Sequence, residues 1–533
     1  MNAERLLAHY ERIADAPDAI TRLRRFILDL AVRGKLVPQD PKDESASELL
    51  KRIAAEKSRL DRKERTRRKP MNVDGTARAK ALLPEGWVLA PLCDLVTVLN
   101  GRAYKQNELL NAGTPVLRVG NLFTSDKWYY SDLCLDDDKY CDKGDLIFAW
   151  SASFGPFIWN GERVIYHYHI WKLPLHSEAD LDKLYLYNFL LHKTREIKEA
   201  GHGISMIHMT KEKMEQIEVS LPPLAEQHRI VAKVDELMAL CDRLEAARAE
   251  RKATRDRLTA ASLARLNVSD PETFQANARF ALDNLAVLTT RPDQIEQLRQ
   301  TILNLAVRGH LVPQDPRNEH IAETYAREPS SDELPNNWRL LSFGKFCDIE
   351  GGNQPPKSQF ISEPRKGYVR LLQIRDLGER PVPTFIPIGS TNRFCKEGEI
   401  LIGRYGASVG KIFWAQDGAY NVAMAKFIWP DDALISSFAF LLLKSEYLQG
   451  PLASATRSAQ AGFNKGDLAA INFPLPPLAE QHRIVARVDE LMALCDRLEA
   501  SLTTTDDTRR RLLEALLAEA LAPDEERELE AAE

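Results

Sequence analysis

Two segments of the chain place apolar residues at alternating spacings of four and three, with polar residues between them. The apolar positions are Ile230, Val234, Leu237, Cys241 and Leu244 in the first segment, and Ile484, Val488, Leu491, Cys495 and Leu498 in the second. This spacing is the seam of a coiled coil and predicts a helix in each segment. A pair of prolines precedes each seam and suits the start of a helix. The scarcity of helix breakers before Asn267 predicts a first helix of ~43 residues, or roughly 64 Å.

The two seam-bearing segments are near-identical copies. Residues 221–246 and 475–500, called the B segments here, differ only at Lys233 and Arg487. A second pair, residues 22–41 and 297–316, shares LAVRGxLVPQDP and is called the A segments. The order A-B-A-B predicts an internal pseudo-two-fold repeat.

The A segments predict short amphipathic helices. Apolar side chains at Leu23, Phe26 and Ile27 recur on one helical face, which ends at Gly34. Leu298 and Ile302 hold corresponding positions in the second copy. A long B helix needs a partner for its seam, and we expect the other B helix, packed antiparallel within the chain. A homodimeric coiled coil is the alternative.

The segments between the repeats predict sheet-containing domains. Each begins with Leu-Pro-x-x-Trp, ending at Trp87 or Trp338, and is rich in β-branched and aromatic residues. Turn signals stand at residues 100–101, 160–161 and 351–352. The predicted fold class is therefore α+β, with two mixed α/β domains, here called the first and second inserts, separated by two long helices packed as an antiparallel coiled coil. The predicted boundaries are 1–82 for an N-terminal helical segment and basic linker (residues 57–80), 83–220 for the first insert, 221–333 for the central helix and second A segment, 334–474 for the second insert, and 475–533 for the C-terminal helix.

Charge and cysteine content change this picture little. The net charge of −5 does not by itself indicate a nucleic-acid partner. Residues 83–221 carry 14 basic and 19 acidic side chains, whereas residues 334–475 carry 16 and 12. The seven cysteines form no C-x-x-C pair, which is typical of reduced thiols. The first twenty residues lack a secretion signal, and no apolar run approaches the roughly 18 residues of a membrane span. These features predict a soluble, cytoplasmic protein.

The residues offer little for catalysis or metal binding. The Gly406 to Lys411 run resembles a phosphate loop, but it has one residue too few and Ile412 replaces the Ser or Thr that would contact magnesium. His167 and His169, expected to alternate on a strand, lack further ligands at zinc spacing. A binding role without metal or catalytic residues is therefore predicted.

Loops of both inserts display the donors and acceptors that reading DNA requires. The candidate contacts in the first insert are Arg102, Tyr104, Lys105, Gln106, Arg118, His202, Ser205 and His208. Those in the second insert are Gln354, Lys357, Arg370, Gln373, Arg375, Arg404, Tyr405, Arg457, Gln460, Asn464 and Lys465.

The paired LPPLAEQHRIV segments, the LAVRGKLVPQDP and LAVRGHLVPQDP segments, and the KGDLIFAW and EGEILIGR strands resemble the specificity subunits of type I restriction-modification systems. The resemblance implies a non-catalytic subunit that binds double-stranded DNA at a split, asymmetric site, one half per insert, with the long helices fixing the spacer. It also implies two methyltransferase subunits, which methylate adenine with S-adenosylmethionine, and two restriction and translocase subunits, which use ATP and magnesium. No cofactor is expected on this chain.

The repeats suggest where such partners would dock. We expect Leu23, Phe26, Ile27, Leu298 and Ile302, with the outer faces of the B helices, to form two equivalent docking surfaces for methyltransferase subunits. Two other functions remain open: a coiled-coil scaffold without DNA, and a stand-alone DNA-binding regulator. The scaffold leaves the divergence of the inserts unexplained, and the regulator lacks a visible helix-turn-helix signal.

Overall fold

The computed structural model describes residues 15–64, 83–151, 153–200, 209–267, 271–317, 334–378, 380–455 and 462–521. These residues fall into two compact units. The first comprises the described parts of Met1–Ala249 and Asp506–Glu533, and the second those of Glu250–Thr505. No helix within the described ranges is long and apolar enough to cross a membrane. All seven cysteines are free thiols.

The first unit contains the first A segment, the first insert and the start of the first B helix. Its helices are α1 Ala19–Val32, α2 Ala46–Glu64, α3 Leu92–Leu95, α4 Val119–Phe123, α5 Lys183–Ala200, α6 Lys211–Glu215 and α7 Leu224–Leu266, of which α7 continues into the second unit. Its strands are β1 Val88–Pro91, β2 Leu99–Asn100, β3 Thr114–Leu117, β4 Tyr129–Ser131, β5 Tyr140–Cys141, β6 Leu146–Ser151, β7 Ser153–Ile158, β8 Val164–Tyr166, β9 Ile170–Lys172 and β10 Glu218–Leu221.

The second unit repeats the order of the strands, while its described helices differ in part. Its helices are α8 Pro271–Asp283, α9 Leu285–Leu288, α10 Pro292–Val307, α11 Phe343–Phe346, α12 Ser436–Lys444, α13 Glu446–Ala455, α14 Lys465–Ala469 and α15 Leu478–Leu521, of which α15 ends in the first unit. Its strands are β11 Arg339–Ser342, β12 Asp348–Gly351, β13 Tyr368–Leu372, β14 Phe385–Pro387, β15 Phe394–Cys395, β16 Ile400–Gly403, β17 Ile412–Trp414, β18 Gly418–Tyr420, β19 Met424–Ile428 and β20 Asn472–Leu475.

The two inserts share one sheet topology. The first has sheets ordered β2-β9-β6-β7, β4-β3-β8-β5 and β1-β10, and the second has β12-β19-β16-β17, β14-β13-β18-β15 and β11-β20. Strand β3 runs parallel to β8, as β13 does to β18, while the other pairs are antiparallel. Strand β6 shows how two cores form, because Leu146 and Phe148 enter one apolar cluster and Ile147, on the opposite face, enters another. The predicted mixed α/β fold with two sheet-containing domains and long helices is confirmed.

Helix α7 has the predicted length, but the seams of both long helices have a different partner from the one expected. Helix α7 has 43 residues and α15 has 44. Ile230, Val234 and Cys241 share an apolar cluster with Ile27 and Leu28 of α1. In the described part of the chain, that cluster contains no residue of α15. The expectation that the other B helix covers this seam is therefore wrong, because the A helix of the same unit covers it.

The second unit repeats this packing. Ile484, Val488 and Cys495 of α15 share a cluster with Ile295 and Ile302 of α10. Ion pairs at both interfaces also correspond: Arg24 contacts Asp242 and Glu245 at 2.6 and 2.7 Å, and Arg299 contacts Asp496 and Glu499 at 2.7 and 2.8 Å. Each B helix therefore packs on its own A helix.

This packing corrects the predicted docking surfaces. Phe26, Ile27 and Ile302 are only 6 to 7% exposed, and Leu23 and Leu298 are partly buried against the seam clusters. Buried side chains cannot present an apolar surface to another protein. Leu23, Ile27, Leu298 and Ile302 instead help to pack the A helices inside each unit, and Phe26 is buried as well.

A buried carboxyl joins three of the repeated motifs. Glu226 of α7 is 1% exposed and accepts hydrogen bonds from Trp87 Nε1 at 3.0 Å and Gln39 Nε2 at 3.4 Å. In the second unit, Glu480 is fully buried and accepts from Gln314 Nε2 at 2.7 Å. Burial raises the pKa of both carboxyls. The motifs LPxxW, VPQDP and LPPLAEQ therefore meet in the folded chain.

The adjacent glutamine attaches each B helix to its insert. Gln227 Nε2 donates to the Pro222 carbonyl at 3.0 Å, and its Oε1 accepts from the backbone of Asp182 at 2.8 Å. Gln481 does the same with the Pro476 carbonyl at 2.9 Å and the backbone of Ile435 at 2.9 Å. These internal contacts give a physical reason for both copies to keep this sequence.

Two predicted turns and part of the predicted linker need correction. Gly101 and Gly352 do not form turns but directly follow strands β2 and β12, where another backbone comes close. A Cβ on Gly101 would lie 2.3 Å from the His167 carbonyl oxygen, and one on Gly352 would lie 2.1 Å from the Asn421 carbonyl oxygen. Residues 57–64 of the predicted basic linker continue helix α2. The rest of that linker, residues 65–80, lies outside the described residues.

Candidate nucleic-acid interface

Three segments of the first insert meet where strands β2, β3 and β8 end. Because β3 and β8 are parallel, their carboxyl ends lie at the same edge. Arg102 and His167 form an isolated β-bridge through their backbones, and the His167 backbone N–H donates to the Leu117 carbonyl at 2.9 Å. Arg118 follows Leu117 directly. The sequence candidates Arg102, Tyr104 and Arg118 are therefore brought to one end of the insert.

A row of rings forms part of this end. The Tyr104 ring stacks on His167 with centroids 6.4 Å apart, and Tyr168 and His169 follow. Trp150 Nε1 donates to the Tyr168 carbonyl at 2.9 Å. His167 and His169 lie in the connection between β8 and β9, so the expectation that they alternate on a strand is wrong. Within the described residues, no His, Cys, Asp or Glu cluster suits a metal ion.

Burial gives His167 a defined charge state. Burial, together with charge repulsion from the nearby His169 and Arg118, lowers the pKa of this imidazole to about 4. His167 is consequently neutral at physiological pH. A neutral imidazole presents one hydrogen-bond donor and one acceptor, which suits the edge of a base. A charged imidazole would present two donors and would suit a phosphate.

The basic candidates of the first insert differ in what they contact. Arg102 is held by both carboxylate oxygens of Glu108, at 2.8 and 3.1 Å, which fixes the loop. Lys105 and Gln106 are exposed on that loop. Arg118 is exposed at the start of α4, with its guanidinium 5.2 Å from the ring centre of Tyr129.

The second insert gathers its candidates in the equivalent place. Asn353 bridges to Asn421, as Arg102 does to His167. A cavity of about 820 Å³ lies beside this bridge, lined by Gln354, Pro355, Pro356, Lys357, Phe360, Gln373 and Arg375. All of its lining residues are neutral or basic. The cavity therefore suits an electron-rich ligand such as a base edge or a phosphate.

One hydroxyl orients two of these side chains. Thr384 Oγ1 accepts from Gln373 Nε2 at 3.1 Å and from Arg375 Nη2 at 3.2 Å. Thr384 is 6% exposed, whereas Arg375 is exposed. The amide and the guanidinium are thus held side by side above a buried support.

The remaining candidates of the second insert are tied to the protein or lie elsewhere. Arg370 donates to Gln416 Oε1 at 2.5 Å, and Arg404 lies 5.2 Å from the ring centre of its exposed neighbour Tyr405. Asn464 caps helix α14 through the backbone N–H groups of residues 466 and 467, and Lys465 pairs with Asp348 at 2.7 Å. The candidates outside the described residues are His202, Ser205, His208, Arg457 and Gln460.

Sequence reasoning missed the residues that support these groups. Tyr129, Thr384, Phe360 and Lys127 were not candidates. Tyr129 contacts Arg118, Thr384 contacts Gln373 and Arg375, Phe360 lines the cavity, and Lys127 contacts Tyr129. Nothing in the spacing links Arg118 to Tyr129 or Gln373 to Thr384. The hairpin register that joins each pair appears only in the folded chain.

Comparison with known proteins identifies the family. The type I restriction modification DNA specificity domain matches residues 84–251 and 335–505. These ranges cover more than half of the chain, which therefore belongs to this family. Family members provide DNA sequence recognition in type I systems, while partner subunits carry out catalysis. The prediction of a non-catalytic specificity subunit is thus confirmed.

Individual relatives agree along nearly the whole chain. The type I restriction enzyme EcoEI specificity subunit of Escherichia coli is 26% identical, covering 94% of this chain and 94% of its own length. The EcoAI specificity subunit of Escherichia coli is also 26% identical, covering 93% of each. A solved chain from work on assembly and conformational transition of the type I R-M system is 22% identical, covers 83% of this chain and 99% of its own, and has a TM-score of 0.52. That structure supports the fold.

Proposed function

We propose that this chain reads a bipartite, asymmetric site on double-stranded DNA, with one half read by each insert, and thereby directs adenine methylation and restriction by partner subunits. The observation that carries the proposal is the shared topology of the two inserts combined with different chemistry at the same positions. Arg118 corresponds to Gln373, and His167 to Asn421. Two scaffolds of one design that display different donors and acceptors suit two different half-sites.

The proposed complex contains two methyltransferase and two restriction and translocase subunits. S-adenosylmethionine would bind the methyltransferase, and ATP with magnesium the restriction subunit, so this chain would need neither cofactor. The internal repeat supports two equivalent partner positions on one chain. Since the apolar faces of α1 and α10 are buried, such contacts would use exposed residues of the A and B helices. The complex would act in the cytoplasm, where its DNA is found.

The proposal is tested by co-expressing the chain with its cognate methyltransferase and sequencing the host DNA by a single-molecule method that detects methyladenine. We expect one split motif with methyladenine in each half. Arg118→Ala should weaken methylation through the first half and Arg375→Ala through the second. Glu250→Gln, an exposed change on α7, is the matched control and should leave the motif intact. A stable complex that methylates no split motif would contradict the proposal.

A further inference from the structure

In each insert, one residue of the hairpin that contains β3 or β13 contacts the side chain that directly follows that strand. Tyr130 of β4 and Phe385 of β14 occupy equivalent positions. Each forms an isolated β-bridge with the loop before its hairpin, Tyr130 with Leu110 before β3 and Phe385 with Ile361 before β13. Tyr129 and Thr384 stand one residue earlier in their respective chains. They therefore occupy the same place in the two inserts, although one is a large ring and the other a small hydroxyl.

Each of these residues contacts the first residue after that central strand. Arg118 follows β3 and lies over the Tyr129 ring, which Lys127 Nζ also approaches to 5.2 Å. Gln373 follows β13 and donates to the Thr384 hydroxyl. Tyr129 thus contacts two cationic side chains in the first insert. Thr384 contacts the Gln373 amide and the Arg375 guanidinium in the second.

The polar groups held at these two positions fit different partners on DNA. In the second insert, an amide and a guanidinium held together at a cavity suit the donor and acceptor edge of a purine in the major groove. In the first insert, the cations over Tyr129 suit guanine or a phosphate. Both supports are less exposed than the groups they hold. They would therefore act by fixing geometry and not by touching the base.

We propose that Tyr129 and Thr384 are positioning residues that set base preference, each for its own half of the DNA site. This inference rests on the proposed function. Thr384 would set the direction of Gln373 and Arg375, and Tyr129 that of Arg118 and Lys127. A change at either position would alter one half of the recognised motif and leave the other half unchanged.

The experiment compares the methylated motifs of four variants, each co-expressed with the methyltransferase. Thr384→Val removes the hydroxyl at nearly constant volume, and Thr384→Ser keeps it. Tyr129→Leu removes the ring, and Tyr129→Phe keeps it. We expect Thr384→Val to lose roughly tenfold discrimination at one base of one half-site, and Tyr129→Leu to do the same in the other half. The Ser and Phe variants should retain the wild-type motif.

Two sets of results separate this inference from the function on which it rests. If the wild-type complex yields a split motif but Thr384→Val and Tyr129→Leu leave it unchanged, or both relax the same half, the assignment of these two residues is overturned while the function stands. If the wild-type complex yields no split motif, both fall together. Equal thermal midpoints and methyltransferase binding across the variants exclude a general loss of folding.

Discussion

At the scale of single residues, the buried glutamates explain motifs that the sequence only shows to be repeated. Glu226 and Glu480 lie near the start of helices that were predicted from apolar spacing and paired prolines, and neither signal assigns a role to these two residues. The fold places each of them against the glutamine of an A segment that lies more than 160 residues away in the chain. No local pattern predicts such a contact, because it depends on how distant segments pack.

Glu226 should make stability depend on pH in a defined direction. Its pKa in the folded chain is raised by burial above the ordinary value near 4.5, so the folded state favours the protonated carboxyl. Stability is therefore lost as pH rises through the raised pKa, since the buried group must then be charged. Glu226→Gln removes this loss while keeping an acceptor for Trp87. Thermal midpoints are measured from pH 4 to 8, and the midpoint of Glu226→Gln should rise relative to that of wild type as pH rises. Glu250→Gln, the control, should follow wild type. A difference between Glu226→Gln and wild type that stays constant with pH would refute this account.

At the scale of helices and strands, the sequence predicted lengths better than partners. Paired prolines and a regular seam were enough to predict α7, because both signals are local. The covering of that seam by α1 could not be inferred, since the two helices are separated by the whole first insert and another amphipathic helix offered a plausible face. The hairpin register that brings Thr384 beneath Gln373 was hidden for the same reason.

The packing of each A helix on the B helix of its own unit predicts which helix substitutions lower stability. Ile27→Ala removes a side chain that is 7% exposed in the α1–α7 cluster, and should lower the free energy of unfolding by about 2 to 4 kcal/mol. Leu240→Ala on α7 is the matched control, because Leu240 is 43% exposed and should change stability by less than about 0.5 kcal/mol. Chemical denaturation of the purified protein measures both. Similar effects of the two substitutions would show that α1 does not cover the seam.

At the scale of the whole molecule, both long helices pass from one unit to the other. Helix α7 begins in the first unit and ends in the second, and α15 does the reverse. Residues 249–255 of α7 are all exposed, between the part packed on α1 and the part that packs near α8 and α10. Under the proposed function, this exposed stretch of α7 is where a spacer between the two DNA-reading inserts would lie.

Lengthening both helices should change the spacing of the DNA site without changing its bases. Four residues inserted after Ala253, with four more after Asp507 in α15, add about 6 Å of helix, or roughly two base pairs. We expect the methylated motif to keep both half-sites while its unspecified spacer grows. An insertion after Ala253 alone is the control: it lengthens only one of the two helices that connect the units, and should lower the thermal midpoint and the methylation yield. A doubly lengthened protein that still methylates only the original spacing would show that these helices do not set the distance between the half-sites.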